Sequence, residues 1–336
     1  MKKIVKRTWL LFLILVILGA FCFAAWSKNL IGVRTQMVSE YAIGIYKLHD
    51  ENGKLTAIAH PGVINPVLTG QSISDKNARF VADPFVVYDG YQYNMFFEAL
   101  IDDIGRIALA TSRDGIKWKY ASVVLAENYH LSYPCVFKWR DTYYMIPESN
   151  QDLSIRLYKA EKFPDRWKFV KKMIEGDMFA DSTILYFQNT WWLFTCTNEN
   201  QTLWLYFSSS PDGEWIKHPK SPIVKRDNRK ARPGGHLINW KGRLLRIAQC
   251  DHPHYGYSVR AFEITHLSPR DYEERELQED PILVASMKGW NADGMHQLSI
   301  YPGTNNEILA AVDGKKYTYR YDLYVRLPSW IRKLRP

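Results

Sequence analysis

Cysteine is scarce in this chain of 336 residues: only four are present. Cys22 lies in an apolar leader, which leaves Cys135, Cys196 and Cys250, an odd number set in strand-like segments. That excludes a disulfide framework, and no pair has zinc-ligand spacing, so the three read as buried thiols. Also missing are D-x-D, a Walker loop, G-x-G-x-x-G, H-E-x-x-H and G-x-S-x-G, which removes the usual nucleotide, zinc-protease and serine-hydrolase chemistries. No cofactor and no metal is expected. The formal charge of +9 contains no Lys/Arg block of the nucleic-acid kind, because Lys2, Lys3, Lys6, Arg7 and Lys28 supply over half of it. Nucleic acid is therefore not an expected partner. Beyond residue 40 no long helical periodicity is found.

What the chain does have is aromatic residues, at 14% with 12 Trp and 21 Tyr, a composition that favours strands. It also has one long apolar run. Trp9 to Trp26 carries no charge and comes after KKIVKR; as a helix it would span roughly 27 Å, close to the hydrocarbon thickness. Phe23 before Ala24-Ala25 makes a poor cleavage site, so residues 1–28 read as a basic leader and an uncleaved transmembrane signal-anchor. Basic residues ahead of the span place the remainder of the chain on the extracytoplasmic side of a single-pass membrane protein. Residues 29–40 form a linker and 326–336 a basic tail.

A hairpin motif recurs about every fifty residues, the spacing of propeller blades. Its copies are FVADPFVVYDGYQYNMFFE, HLSYPCVFKWRDTYYMIPES, MFADSTILYFQNTWWLFTC, ARPGGHLINWKGRLLRIAQ and ADGMHQLSIYPGTNNEILAAVDG. Further strands separate them, such as RIALATS and SIRLYKA. The expected fold is all-β: a five-bladed β-propeller over residues 41–325, with YAIGIYK joining the last blade to close the ring. In a propeller the first strand of each blade lines the channel. Asp83, Tyr133, Asp181, Arg232 and Asp293 open those strands and converge on one mouth. Glu98 and Glu148 end second strands and return to it, and His130, His236 and His296 lie close by in sequence. Burying so many charges without use would be costly.

FVADPF, HLSYP, MIPES, IRLYKAEKFPDRW, ARPGG, QCDHPHYGYSV and GWNADGMH occur in order. Together they resemble the N-terminal domain of glucosamine inositolphosphorylceramide transferases, over roughly residues 40 to 315. That domain is similar to the five-bladed propellers of glycoside hydrolase families 43 and 32. The transferase chemistry of the plant enzymes is ascribed to a different domain, so the family name does not set this chain's reaction. The family 43 pattern implies Asp83 as general base and Asp181 as the residue that tunes pKa and orients substrate. Its general acid is a Glu on the fourth blade, where this chain has Arg232, which cannot release a proton near neutral pH. Glu148 is the alternative acid, with His130 and Tyr133 placing a sugar hydroxyl and Glu98 holding substrate. Arg232 would then meet a phosphate or carboxylate, which implies an anionic glycan or glycolipid. His236, Asp293 and His296 complete the expected substrate-binding set. The expected function is to cleave or transfer a glycosyl unit in surface glycan or glycolipid metabolism. The alternatives are a non-catalytic glycan-binding module working beside glycosyltransferases, and a purely structural propeller.

Overall fold

Met95, Phe96 and Phe97 are consecutive and all fully buried, yet they serve two different cores. Side chains alternate across a strand. Met95 and Phe97 pack with Ile43, Ile45 and Leu309, whereas Phe96 packs with Val136, Met145 and Tyr158. A strand apolar on both faces must have a sheet on each side, and five sheets arranged in that way are what a computed structural model of the protein contains. It describes residues 14–20, 22–24, 26, 31–197 and 199–325.

The first blade runs Ala78–Tyr88, Tyr93–Ile101, Ile104–Ser112, Lys119–Leu125, and the second Ser132–Trp139, Thr142–Glu148, Ser154–Lys162, Arg166–Glu175. The third comprises Ala180–Phe187, Thr190–Thr197, Thr202–Ser208 and Ile216–Lys217. The fourth comprises Ile238–Trp240, Arg243–Cys250, Ser258–Leu267 and Tyr272–Glu276, with Leu283–Val284 added on Ser258–Leu267. The fifth joins both ends of the ring: Leu298–Pro302 and Ile308–Val325 pair, and Ile31–Glu51 with Lys54–Ala59 completes the sheet. The five-bladed fold and its closure by residues 41–47 are as the repeat implies. Helix among residues 31–197 and 199–325 is limited to short 3-10 turns.

The same alternation repeats between the other blades. Trp191 and Leu193 join the core between blades two and three, and Trp192 the core between three and four. Leu244 and Leu245 divide likewise between the third–fourth and fourth–fifth cores. The abundance of aromatics is thus mostly inter-blade packing.

Two units are resolved by contact density: residues 40–316, which contain the ring, and residues 1–39 with 317–336. In the second unit, residues 14–20 and 22–24 are helical. No helix among the described residues is long and apolar enough to cross a membrane. Most of the first half of the expected span Trp9–Trp26 lies outside the described residues, as does the tail 326–336.

Candidate active site

The first strands of three consecutive blades break their ladder at one place. Register shifts fall between Ala82 and Phe85, Ser132 and Cys135, and Ala180 and Thr183. The residue after the start of each break, Asp83, Tyr133 or Asp181, is left-handed, with φ of 52°, 44° and 48°. For residues with a Cβ that conformation costs about 1–2 kcal/mol and needs compensation. Each bulge turns a backbone N–H toward a neighbouring carboxylate. Asp83 N donates to Asp313 (3.0 Å), Tyr133 N to Asp83 (3.1 Å) and Asp181 N to Glu148 (3.1 Å). Carboxylates of blades five, one and two thereby hold the bulges of blades one, two and three.

Asp83, Glu98, Glu148, Asp181, His296 and Asp313 are all buried. Arg232 lies among them, its fork donating to Asp181 through Nε (2.6 Å) and Nη2 (3.2 Å), to Glu148 through Nη2 (3.2 Å) and to Asn200 through Nη1 (2.9 Å). Gln249 Nε2 adds a bond to Asp181 at 2.6 Å. The sequence places Arg232 against an anionic group of the substrate; its guanidinium is instead engaged by the protein's own carboxylates. A cation on the fourth blade makes this crowding tolerable, since unpaired carboxylates at such burial would be very costly.

Electrostatics separates the carboxyls. Burial pushes Glu148 well above the ordinary carboxylate range; Arg232 pulls it down, and the neighbouring Asp181 pushes it further up. Asp83 is also raised, chiefly by burial, with His296 opposing and Asp181, Asp313 and Glu98 reinforcing. For His296, burial alone disfavours the imidazolium. Asp313, 2.7 Å from Nδ1, outweighs it with help from Asp83 and Asp181, and the ring is raised to about 9. His296 binds its proton more tightly folded than unfolded, so its contribution is complete below about 6.5 and lost as pH rises through about 9. The unfolding free energy from urea titrations should therefore fall between pH 6 and 9.5 by an amount on the order of 3 kcal/mol. His296→Gln should flatten that slope; an unchanged slope would contradict the ion pair.

Tyr133, expected to place a sugar hydroxyl, is fully buried and its own hydroxyl is engaged by the protein. Its hydroxyl crosses from blade two to Thr183 Oγ1 (2.8 Å) on blade three and accepts from Gly235 N (2.8 Å) on the fourth-blade segment. A Cβ at Gly235, whose φ is 152°, would meet the Leu298 carbonyl at 2.1 Å, so only glycine fits there. Tyr133→Phe leaves the buried Gly235 N–H without its acceptor and should cost about 1–3 kcal/mol, read as a lower urea midpoint. His236 is also internal: Nε2 donates to the Val136 carbonyl (3.0 Å), its ring meets the edge of Phe85, and burial lowers it to about 4.

His130 accepts from Gly105 N through Nδ1 (3.0 Å), which leaves the neutral ring's proton on Nε2, 3.0 Å from Glu98 Oε1. That pair is close but poorly aligned, and Glu98 Oε1 is a buried oxygen with no hydrogen-bond partner among the described residues. Asp293 sits on the half-buried segment whose backbone pairs with Lys315. Past it, His296 is the fifth blade's contribution to the cluster.

Sequence reasoning missed several neighbours. Asp313 is the fifth-blade equivalent of Glu98 and Glu148, lying next to Val312, which pairs with Leu298 at the start of the blade's first strand. The longer turn around Gly303–Glu307 hid the correspondence. Tyr41 stacks on His296 at 5.0 Å, while Tyr255 meets it edge-on at 5.3 Å and receives Arg232 over its face at 5.4 Å. Tyr255 is 41% exposed, an aromatic surface at the rim of the cluster. The dense run DHPHYGY was the available signal. Asp83, His296 and Asp313 bring donor atoms within 4.8 Å of one another, the spacing of a cation site. Asp313 already accepts from Asp83 N, His296 N, Gln297 N and His296 Nδ1. Its lone pairs serve the protein, and the trio does not fit a metal without rearrangement.

The family model described as "Glucosamine inositolphosphorylceramide transferase 1, N-terminal" matches residues 43–315. The chain belongs to this family. The transferase-1 protein of Arabidopsis thaliana is 34% identical over 271 residues, covering 76% of this chain and 35% of that protein. The one from Oryza sativa subsp. japonica is 33% identical over 269 residues, covering 76% and 36%. This family member thus spans about a third of the length of the curated relatives it matches. Solved structures share the fold at low identity. The Coprinopsis cinerea family 62 α-L-arabinofuranosidase aligns with TM-score 0.55 and 14% identity, covering 74% of this chain and 95% of that one. Zg3597, a family 117 glycoside hydrolase of Zobellia galactanivorans, aligns at 0.51 and 14%, covering 82% and 90%.

Proposed function

We propose that the chain is a membrane-anchored, carbohydrate-active propeller that acts on a glycosidic linkage of a surface glycan or glycolipid, by hydrolysis or glycosyl transfer. One observation carries the reading: the buried carboxyls of Asp83, Glu148 and Asp181 are tied together through the bulged first strands of three consecutive blades. Glu148 is the general acid. Asp181, fixed by Arg232 and Gln249, repels its negative charge and favours the protonated form, as a general acid requires. Asp83 is the base or nucleophile. Glu98 Oε1 takes a substrate hydroxyl, and Tyr255 offers its face to a sugar ring. The leading segment anchors the protein, with the ring outside the cytoplasm. A reporter fused after Pro336 should then be active extracytoplasmically; activity only in the cytoplasm would reject that orientation.

A second reading, a non-catalytic glycan-binding module assisting glycosyltransferases, is favoured by the same Arg232. Its fork is satisfied by Asp181, Glu148 and Asn200, and Asn150 holds the other oxygen of Glu148 at 2.7 Å. Incubating the purified full chain with surface glycans and with nucleotide-sugar and lipid-linked donors separates the two. Release or transfer of a sugar supports the enzyme. Saturable binding without turnover of any donor supports the module.

A further inference from the structure

The strands Ile31–Glu51 and Ile308–Val325 are neighbours in one sheet, and their outer stretches, residues 31–39 and 317–325, belong to the second unit. Side chains alternate there as in any strand. Tyr319, Tyr321 and Leu323 share one face and are 63%, 68% and 76% exposed. Thr318, Arg320 and Asp322 share the other, with Arg320 Nε donating to Asp322 at 3.0 Å. Gly32 fixes how the partner strand is turned. A Cβ on it would meet the Tyr324 hydroxyl at 2.8 Å, so Gly32 and Tyr324 share a face. Counting by twos, Arg34 and Gln36 fall on the polar face. Val33 and Met37, both exposed, fall with Tyr319, Tyr321 and Leu323. One side of the ribbon is thus mainly apolar, with Thr35 among Val33, Met37, Tyr319, Tyr321 and Leu323, and the other mainly polar, with Tyr324 among Arg34, Gln36, Thr318, Arg320 and Asp322. A two-stranded ribbon is at best marginally stable in water without something against its apolar side.

We propose that this face rests on a lipid bilayer, in the headgroup region of a membrane rich in anionic lipid. Three observations select lipid as the occupant. The same unit carries helical residues with exposed Leu15, Ile17 and Phe23, and the uncharged run Trp9–Trp26 ends just before the strand begins. Tyrosine, with an apolar ring and a polar tip, is the residue suited to that depth. The sequence that brackets the ribbon is basic: Lys28 precedes it, Arg326 follows it, and the chain continues into Arg332, Lys333 and Arg335. Positive charge attracts anionic headgroups. It would repel a second copy of the same ribbon.

The proposal rests on the anchored reading, and its test keeps the two apart. Full-length chain with Cys22→Ala leaves only buried cysteines, so single exposed or half-buried sites can be spin-labelled through Thr318→Cys to Leu323→Cys. The labelled chains are reconstituted into phosphatidylcholine–phosphatidylglycerol vesicles. Labels at 319, 321 and 323 should be accessible to oxygen and shielded from a water-soluble nickel chelate. Labels at 318, 320 and 322 should show the reverse, giving an accessibility that alternates with period two. Chain that floats with the vesicles but has all six labels in water would overturn the ribbon proposal and leave the anchor standing. Chain that does not float would overturn both. Spin–spin broadening confined to 319, 321 and 323 would assign the face to a second copy instead.

Discussion

Glu148→Gln should lower turnover by about 10²–10⁴, roughly 3–5 kcal/mol of barrier, while substrate binding changes little. The amide keeps the volume and can still accept from Asp181 N and Arg232, and rotation of the Asn150 amide accommodates the new NH₂. What it cannot do is deliver a proton to the departing oxygen. The pH profile should change with it. Because Glu148 is raised by burial and by Asp181, wild-type activity should persist above the ordinary carboxylate range and fall as pH climbs through the raised value. The variant's residual rate should lose that limb. Asp83→Asn should be comparably damaging, and Glu98→Gln milder, since Glu98 is assigned to holding substrate. Steady-state rates across pH read all three, and full wild-type activity in Glu148→Gln would refute the acid role.

Arg232→Met should cost the fold roughly 3–5 kcal/mol. Removal of the guanidinium strips Asp181 of a two-point partner and Glu148 of one, in a site buried from water. The methionine fills the space but leaves the buried Asp181 charge with only the Gln249 amide and its backbone surroundings, and Glu148 without its donor. Adding Asp181→Asn should recover part of the loss, because it removes the stranded charge. Urea midpoints of the single and double variants measure this. A loss under about 1 kcal/mol, the range of exposed ion pairs, would mean that the guanidinium is not buried as described.

The blades were legible because a hairpin repeat needs only local pattern: paired strands, a polar turn and alternating apolar residues. The place of Asp83, Asp181, Glu148 and His296 was legible too, since a ring forces strand starts to converge whatever their side chains do. Partnership was not legible. Arg232 opens a strand as a substrate-binding cation would, and only the fold reveals that Asp181 and Glu148 reach it across one and two blade boundaries. Tyr133 looks like a ligand-binding tyrosine, and its use as a cross-channel strut depends on Gly235, far along the chain. Asp313 was hidden by turn length, and Tyr255 by lying on a loop with no repeat to mark it.

The central claim is that the carboxylates of the ring perform chemistry on a sugar. It is tested most directly by the crystal structure of the Glu148→Gln variant with an intact glycan or lipid-linked donor trapped in it. The glycosidic oxygen should lie within about 2.6–3.2 Å of the residue 148 side chain, with a sugar ring against Tyr255 and a hydroxyl on Glu98. A glycan seated elsewhere, for instance in the cavity of about 610 Å³ lined by Trp290, Arg79 and Lys316, with no sugar atom reaching the side chains at 83 and 148, would contradict it.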